Sequence, residues 1–317
     1  MNYLCDNISQ LRNLFLGVLL VNLLNSGKNV VWGLNDANDL VLSPSEENAF
    51  TQFKSSPLLE QLPEEYMKTD FYLIRFLRYS NWNIDAAEEM LQKSLEWRID
   101  NKIGQIKEEN WDDMKLQFPV MFLGHDKENR PVMEMDIGNW NLKIAAEAGR
   151  SERVDRYMVW ILEQLVSHIV LAQQETGKNV TRAVIIADAE NLGFRQHLCS
   201  ACISTLRRWN SVMEANYPGF YDEIIIIKAP TLTRLASKLI SPFLSAETRR
   251  IIKTLSSGWM EYLDERIEKE ERTASYGGTK PKPFRLVYNL VYFQYLVTVP
   301  QYTYILPNNI LYVNPLA

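Results

Sequence analysis

Four consecutive isoleucines, Ile224 to Ile227, are the feature that most restricts the fold of this chain. An unbroken run of β-branched apolar residues predicts a strand that is buried on both faces, and such strands are typical of parallel sheets with helices on either side. Further strands are predicted at 120–123, 132–137 and 182–188, and helices at 152–175, 198–215, 231–240 and 246–264. Strands separated by helices of this length require crossover connections, so the sequence predicts an α/β fold with a mainly parallel sheet flanked by helices.

A helical region precedes the predicted sheet and occupies residues 42–108. Its first helix is predicted to begin with Ser43 as the cap and Pro44 at the first helical position. A second helix follows, and a third is predicted to start at a capping box formed by Asp85 and Glu88. The region therefore predicts a small helical subdomain in front of the sheet.

The sheet domain is assigned to residues 109–279, and segments of different composition lie at the two ends of the chain. Residues 1–41 are an extension without an assigned fold. Its apolar run "LFLGVLLVNLL" (14–24) has the length of a signal-peptide core, but no small-residue cleavage site follows it. Residues 280–317 form a short tail rich in valine and tyrosine, for which a β structure is the prediction.

Net charge and cysteine content restrict the partners and the compartment. A formal charge of −5 over 317 residues argues against nucleic-acid binding, because neutralising phosphates needs a basic excess. The 3 cysteines are too few for a disulfide framework, so a reducing compartment is expected. We therefore expect a cytoplasmic protein. Secretion directed by the apolar run is the less favoured alternative.

The sequence does not contain the common enzyme motifs with their required residue spacing. None of the 13 glycines form a dinucleotide-binding, P-loop or nucleophile-elbow pattern, and the 3 histidines are scattered. In "HLCSAC", Cys199 and Cys202 have the spacing of a redox pair or of half a zinc site. A structural zinc needs four ligands and no second pair follows, so two small side chains packed in the core are favoured. We expect no enzymatic activity, no metal and no organic cofactor.

Several charged residues allow both a structural and a functional interpretation. Arg75 and Arg78 lie three positions apart on an otherwise apolar helix and could bind a lipid phosphate, but pairing with carboxylates of the next helix is favoured. Asp188 ends a predicted strand and could be a general base, but a role in a turn is favoured. The pairs Arg207–Arg208 and Arg249–Arg250 are interpreted as solvated helix faces, with a basic membrane-facing patch as the alternative.

Several stretches of the sequence, taken in order, resemble one family. They are "DFYLIRFLRYSNWNIDAAEEMLQKSLEWR" (70–98), "GHDKENRPV" (124–132), "AVIIADAENLG" (183–193), "NYPGFYDEIIIIKAPTLTRLASKLISPFLSAETRRII" (216–252) and "YGGT" (276–279). The chain resembles the CRAL-TRIO lipid-binding family, which includes the yeast secretory phosphatidylinositol-transfer protein and the tocopherol-associated proteins. "LSPSEENAFTQF" (42–53) and "YGGT" are closest to the animal tocopherol-associated branch. The tail here is too short to supply the C-terminal β-sandwich domain of that branch.

The resemblance implies an apolar cavity above the sheet, closed by a mobile helix that follows the last of the apolar strands. We call residues 231–244 the gate segment. A helix that covers a lipid when closed and meets a membrane when open is expected to carry apolar residues on more than one face. The residues expected to supply this surface are Leu232, Leu235, Leu239, Ile240, Phe243 and Leu244.

The resemblance also implies where a phospholipid head group would lie. In phosphatidylinositol-binding members, a glutamate on the helix before the Tyr-Pro and a lysine before the Pro-Phe-Leu contact the inositol phosphate. The corresponding positions here are Arg208 and Ser241, so one charge is reversed and the other is absent. A tocopherol, squalene or another isoprenoid, or a zwitterionic phospholipid, is therefore expected in place of phosphatidylinositol.

Together with the resemblance, these features predict a monomer that binds one hydrophobic lipid or phospholipid in an internal cavity. It would contact membrane surfaces transiently and transfer the lipid between them without chemical catalysis. The alternative from another class is a non-catalytic regulatory or protein-interaction module with the same fold.

Overall fold

The computed structural model of the chain describes residues 40–177 and 179–281. The predicted N-terminal extension and the predicted β tail lie almost entirely outside the described residues. The helices are α1 (Pro44–Lys54), α2 (Asp70–Tyr79), α3 (Ile84–Asp100), α4 (Asp112–Gln117), α5 (Leu142–Glu147), α6 (Ser151–Thr176), α7 (Phe194–His197), α8 (Ser200–Asn216), α9 (Leu232–Ile240), α10 (Ala246–Ile251) and α11 (Trp259–Arg266). The strands are β1 (Val120–His125), β2 (Pro131–Met135), β3 (Ala183–Asp188), β4 (Tyr221–Ile227) and β5 (Ile252–Thr254).

The helical region begins as the sequence predicts. The Ser43 hydroxyl accepts the Glu46 N–H, and the Glu46 carboxylate accepts the Ser43 N–H at 2.8 Å, which completes a capping box at the start of α1. The cap predicted for the third helix is wrong by two positions. Asn83 caps α3 in place of Asp85, because its side-chain oxygen precedes the first turn and accepts the free Ala86 N–H at 2.9 Å.

The strands form one sheet in the order β1–β2–β3–β4–β5. β1 and β2 are antiparallel, and each of the following neighbours is parallel, so the predicted mainly parallel α/β fold is confirmed. The prediction of a single helix over 246–264 is wrong. Ile252–Thr254 pairs with β4 as the outer strand β5 and separates α10 from α11.

The side chains of β4 alternate between two apolar clusters on opposite faces of the sheet. Ile225 and Ile227 are fully buried and belong to the same cluster as Leu263 of α11. Ile224 and Ile226 point to the other face and are only half-buried, and Ile224 packs against the larger core that contains residues of α6 and α8. The prediction that the whole isoleucine run is buried on both faces is therefore wrong for one of its two faces.

A buried ion pair joins the helical region to the sheet domain. Arg98 of α3 donates to both carboxylate oxygens of Glu163 on α6, at 2.8 and 3.2 Å, and the two side chains are 6% and 3% exposed. The Tyr217 hydroxyl donates to the same carboxylate at 2.6 Å. Burial and the Glu163 carboxylate raise the pKa of Tyr217 well above that of an exposed tyrosine, so the hydroxyl remains a donor.

Arg75 also crosses between the two regions. Its guanidinium donates to the main-chain carbonyl oxygens of Gly219 and Thr181 and lies 4.4 Å from the centroid of the Phe220 ring. The side chain is 3% exposed, and its hydrogen bonds to carbonyls satisfy a charge that burial would otherwise leave costly. These carbonyl partners were not predicted, since the sequence favoured carboxylates of the next helix.

The end of the described chain, residues 269–280, covers the outer strand β1. The Glu271 carboxylate accepts the His125 N–H at 3.1 Å. Gly278 lies so close to Arg272 that an added Cβ atom would be 2.1 Å from the Arg272 carbonyl oxygen. This close approach of two main-chain segments requires glycine in the "YGGT" motif.

Candidate functional site

The apolar residues of α9 in the gate segment lie on one side of the helix. They recur at intervals of three and four positions, whereas Arg234, Ser237 and Lys238 lie on the opposite side. The expectation of apolar residues on more than one face is therefore wrong, and α9 is amphipathic. The apolar stripe consists of Leu232, Leu235, Ala236, Leu239 and Ile240.

One edge of this stripe is exposed. Ala236 is only 8% exposed, but Leu235 and Leu239 are each 42% exposed. Phe243, in the turn of 3-10 helix at Ser241–Phe243, is 40% exposed. The half-buried members of the gate segment are Leu232, Ile240 and Leu244. Neighbouring large apolar side chains that stay exposed in this way are typical of an interaction surface.

The C-terminal end of the gate segment is bound to α8 and α10. Asn210 of α8 donates to the Phe243 carbonyl oxygen at 2.7 Å, and the Arg207 guanidinium lies 4.0 Å from the centroid of the Phe243 ring. Arg249 of α10 donates to the Ser241 carbonyl oxygen at 3.1 Å. Arg207 and Arg249 are exposed, as predicted for solvated helix faces, but both also hold this end of the gate segment.

Lys228 lies at the N-terminal approach to the gate segment in the left-handed conformation, with φ of 49°. Its ammonium group donates to Asp188 at 2.8 Å and to Glu190 at 3.1 Å, and lies 5.6 and 5.5 Å from the ring centroids of Trp259 and Tyr276. Burial alone would lower the pKa of Lys228, but the two carboxylates raise it, so the group stays charged. Asp188 also accepts the Glu190 N–H at 3.0 Å, which confirms its predicted role in a turn.

The two predicted head-group positions lie in different surroundings. Arg208 is on α8 with a side chain that is 47% exposed, and its guanidinium donates to Asp155 of α6 at 2.6 Å. Ser241 ends α9, is half-buried, and its carbonyl oxygen accepts the bond from Arg249. An open cavity of about 820 Å³ lies along α8, with both Arg208 and Phe243 in its lining. Arg208 thus borders a space next to the anchored end of the gate segment.

Cys199 and Cys202 are joined by a disulfide bond, with their Cα atoms 5.0 Å apart. Cys202 is fully buried, as expected of a residue packed in the core, but the bond to Cys199 differs from the favoured prediction of two packed thiols. Within the part of the chain that the structure describes, no group of three or more histidine, cysteine, aspartate or glutamate side chains is placed to hold a metal ion.

Sequence analysis missed the residues that hold the C-terminal end of the gate segment, and it missed the contacts of Lys228 in the loop before that segment. A lysine between an apolar strand and an Ala-Pro turn is a local signal that could have drawn attention to Lys228. Asn210 and Arg249 act from other helices on main-chain carbonyl oxygens. No pattern of side chains indicates which distant carbonyl such a residue will reach.

Comparison with known proteins identifies the family. A family model described as the CRAL/TRIO domain matches residues 115–278. The chain belongs to the CRAL/TRIO family. Members of this family generally bind lipophilic ligands and are generally not catalysts. None of the helices within residues 40–177 and 179–281 has the length and apolar character needed to cross a membrane.

Two relatives of this CRAL/TRIO chain are distant in sequence and longer. Protein real-time from Aedes aegypti is 28% identical over 211 residues, which cover 66% of this chain and 32% of that protein. CRAL-TRIO domain-containing protein T23G5.2 from Caenorhabditis elegans is 27% identical over 212 residues, which cover 66% of this chain and 29% of that protein. The chain thus spans about a third of the length of these curated relatives. The crystal structure of Sfh5 matches with a TM-score of 0.61 at 15% identity, over 76% of this chain and 89% of that one, which shows a shared fold.

Proposed function

We propose that this CRAL/TRIO protein binds one hydrophobic lipid in a cavity between the sheet and the gate segment and transfers it between membranes. The observation that carries the proposal is the exposure of Leu235 and Leu239 along one edge of an amphipathic helix. Large apolar side chains are normally buried, so a helix that keeps two of them exposed side by side is suited to contacting a lipid or a membrane.

The lipid would lie on the half-buried face of β4. Ile224 pairs with Ile185 and Ile226 pairs with Ala187, and paired residues of neighbouring strands point to the same face of a sheet. Helix α8 contributes to the core on that face and contacts α9. A chain of methylene groups taken from water into such a site is stabilised by about 0.8 kcal/mol for each CH₂.

Membrane contact would use the exposed edge of α9. Leu235 and Leu239 would enter the boundary between head groups and acyl chains, and Arg234 and Lys238 on the polar side would remain at the level of the head groups. The buried surface is small, so the association would be reversible. This arrangement supports a protein that binds a membrane transiently and dissociates from it with its ligand.

The ligand would be neutral or zwitterionic rather than phosphatidylinositol. The charge of Arg208 is already matched by Asp155 at 2.6 Å, and the Ser241 side chain carries no charge for a phosphate. A charge-assisted hydrogen bond contributes about 1.5–3 kcal/mol, so losing both head-group contacts would weaken selection on the order of a hundredfold or more. A tocopherol, squalene, another isoprenoid or a zwitterionic phospholipid fits this site better.

The test combines identification of the ligand with a transfer assay. Native mass spectrometry and lipid extraction of the purified protein should reveal one bound lipid per chain. Leu239→Asp should abolish transfer of that lipid between vesicles and leave the melting temperature within a few degrees of the wild type, because the side chain is already exposed. Ser237→Asp adds the same charge on the polar side of α9 and should leave transfer largely intact.

Two results would contradict the proposal. Collapse of the fold in Leu239→Asp would mean that α9 is ordinary core, where a buried unpaired charge is severe. A folded protein that purifies without lipid and transfers none would favour the alternative, a non-catalytic regulatory or protein-interaction module.

A further inference from the structure

Helix α8 begins at a cysteine pair that the proposed lipid function does not use. Cys199 is the capping residue of α8, and its sulfur accepts the Cys202 N–H at 3.1 Å. Cys202 lies one turn further along and is 0% exposed, whereas Cys199 is half-buried. Of the two residues, Cys199 is therefore the one that is partly open to solvent, while Cys202 is shielded by the protein.

Each sulfur lies near a main-chain group that could be its hydrogen-bond partner in the reduced state. A Cys199 thiolate would keep the Cys202 N–H and would lie at the positive end of the α8 dipole, which lowers the pKa of a thiol. The Cys202 sulfur is 3.3 Å from the Gln196 carbonyl oxygen, to which a thiol can donate. Both sulfurs of the reduced pair would therefore keep a main-chain hydrogen-bond partner within reach.

A purely structural role explains this pair poorly. The stabilisation given by a disulfide grows with the length of the chain that it closes, and these cysteines are separated by 3 positions. A helix cap does not require sulfur either, because serine, aspartate and asparagine are the preferred capping residues. What distinguishes cysteine at both positions is the ability to exchange disulfides.

We propose that Cys199 and Cys202 form a redox-active pair whose substrate is a thiol reductant, with Cys199 as the reacting sulfur. A thiolate of a dithiol attacks the Cys199 sulfur, the bond to Cys202 breaks, and the electron pair goes to the Cys202 sulfur, which takes up a proton. The second thiolate of the reductant then attacks its own sulfur in the mixed disulfide and releases the Cys199 thiolate. The protein disulfide is reduced to two thiols, and the reductant is oxidised to its disulfide.

The test follows both sulfurs in the full chain. The protein is equilibrated in mixtures of reduced and oxidised dithiothreitol, quenched with acid and alkylated. Peptide mass spectrometry then separates the signals of Cys199 and Cys202 from that of Cys5, the third cysteine of the sequence. A reversible two-electron transition with an unchanged circular dichroism spectrum is expected. In the reduced protein, iodoacetamide should modify Cys199 at least about tenfold faster than Cys202, with a pH midpoint below the ordinary thiol value of about 8.5.

Two variants separate a redox role from a structural one. Cys202→Ser removes the shielded sulfur and should leave the low pH midpoint of Cys199 alkylation in place. Cys199→Ser keeps an oxygen cap on α8 and should leave Cys202 almost unreactive in the folded protein. The proposal is overturned if the disulfide is reduced only when the protein unfolds. A Cys199 midpoint at or above that of free cysteine would overturn it equally.

Discussion

Replacing Arg98 by methionine tests whether the buried ion pair holds the helical region on the sheet domain. In this variant the Glu163 carboxylate remains at a site that is 3% exposed and keeps the hydrogen bond from Tyr217. Removing one partner of a buried pair costs about 3–5 kcal/mol, because the other charge is left uncompensated. At about 2–4 °C for each kcal/mol in a large domain, the melting temperature should fall by about 6–20 °C.

Two further variants separate the effect of the uncompensated charge from the effects of the lost hydrogen bond and of packing. Tyr217→Phe removes one hydrogen bond to a charged acceptor and should lower the free energy of unfolding by about 1.5–3 kcal/mol. The apolar combination of Arg98→Met, Glu163→Leu and Tyr217→Phe leaves no charge in the site. Because apolar replacement of a buried pair is often neutral or stabilising, this variant should be within about 1 kcal/mol of the wild type or above it.

Urea unfolding followed by tryptophan fluorescence and circular dichroism gives the free energies, provided that the two probes report one transition. Arg150→Met is the matched control, because Arg150 pairs with Asp113 at side-chain exposures of 31% and 44%, where an ion pair contributes at most about 1 kcal/mol. Equal losses in the Arg98 and Arg150 variants would refute the reasoning. So would an apolar combination that is as unstable as Arg98→Met alone.

Three other predictions concern the head-group positions, a glycine and a histidine. Arg208→Glu combined with Ser241→Lys should raise transfer of labelled phosphatidylinositol between vesicles; efficient transfer by the wild type, unimproved by the double change, would contradict the expected ligand class. Gly278→Ala should lower the free energy of unfolding by about 1–3 kcal/mol, because the added methyl group overpacks the site. Gly104→Ala should cause no such loss, because the space around its Cβ position is open, and equal losses in the two variants would exclude the steric cause. Burial lowers the pKa of His168, so its contribution to stability is present above the unfolded pKa of about 6.5 and is lost as the pH falls below it. His168→Phe should therefore lose less stability than the wild type between about pH 7.5 and pH 5.5 in urea titrations, and parallel pH profiles would count against this assignment.

The elements that could be predicted from the sequence alone are those with a long local pattern of apolar residues. The helix over 152–175 and the isoleucine run carry enough periodic or apolar residues to identify the α/β fold before any contact is known. The strand Ile252–Thr254 was missed because three residues have no period of their own and become a strand only by pairing with β4. Short elements of this kind are decided by tertiary pairing.

The candidate site, too, could be predicted from the sequence only in part. The resemblance supplied the bounds of the proposed gate segment, but which of its side chains are exposed depends on how α9 packs on its neighbours. The carbonyl partners of Arg75 and Arg249 were beyond prediction, because every residue offers a carbonyl oxygen and only the folded chain brings one within reach. The sequence favoured two small side chains packed in the core over a redox pair, because the spacing of Cys199 and Cys202 also suits two neighbours on one face of a helix.

The two outer strands of the sheet restrict how copies of this chain could associate with one another. β5 is only three residues long and exposes Lys253, and β1 is covered where Glu271 accepts the His125 N–H. A short, charged edge and a covered edge both discourage an incoming strand from extending a sheet. Under the proposed function, a chain whose gate segment moved aside at a membrane would therefore offer other copies little main chain to pair with, which would favour capture of a lipid over growth of an aggregate.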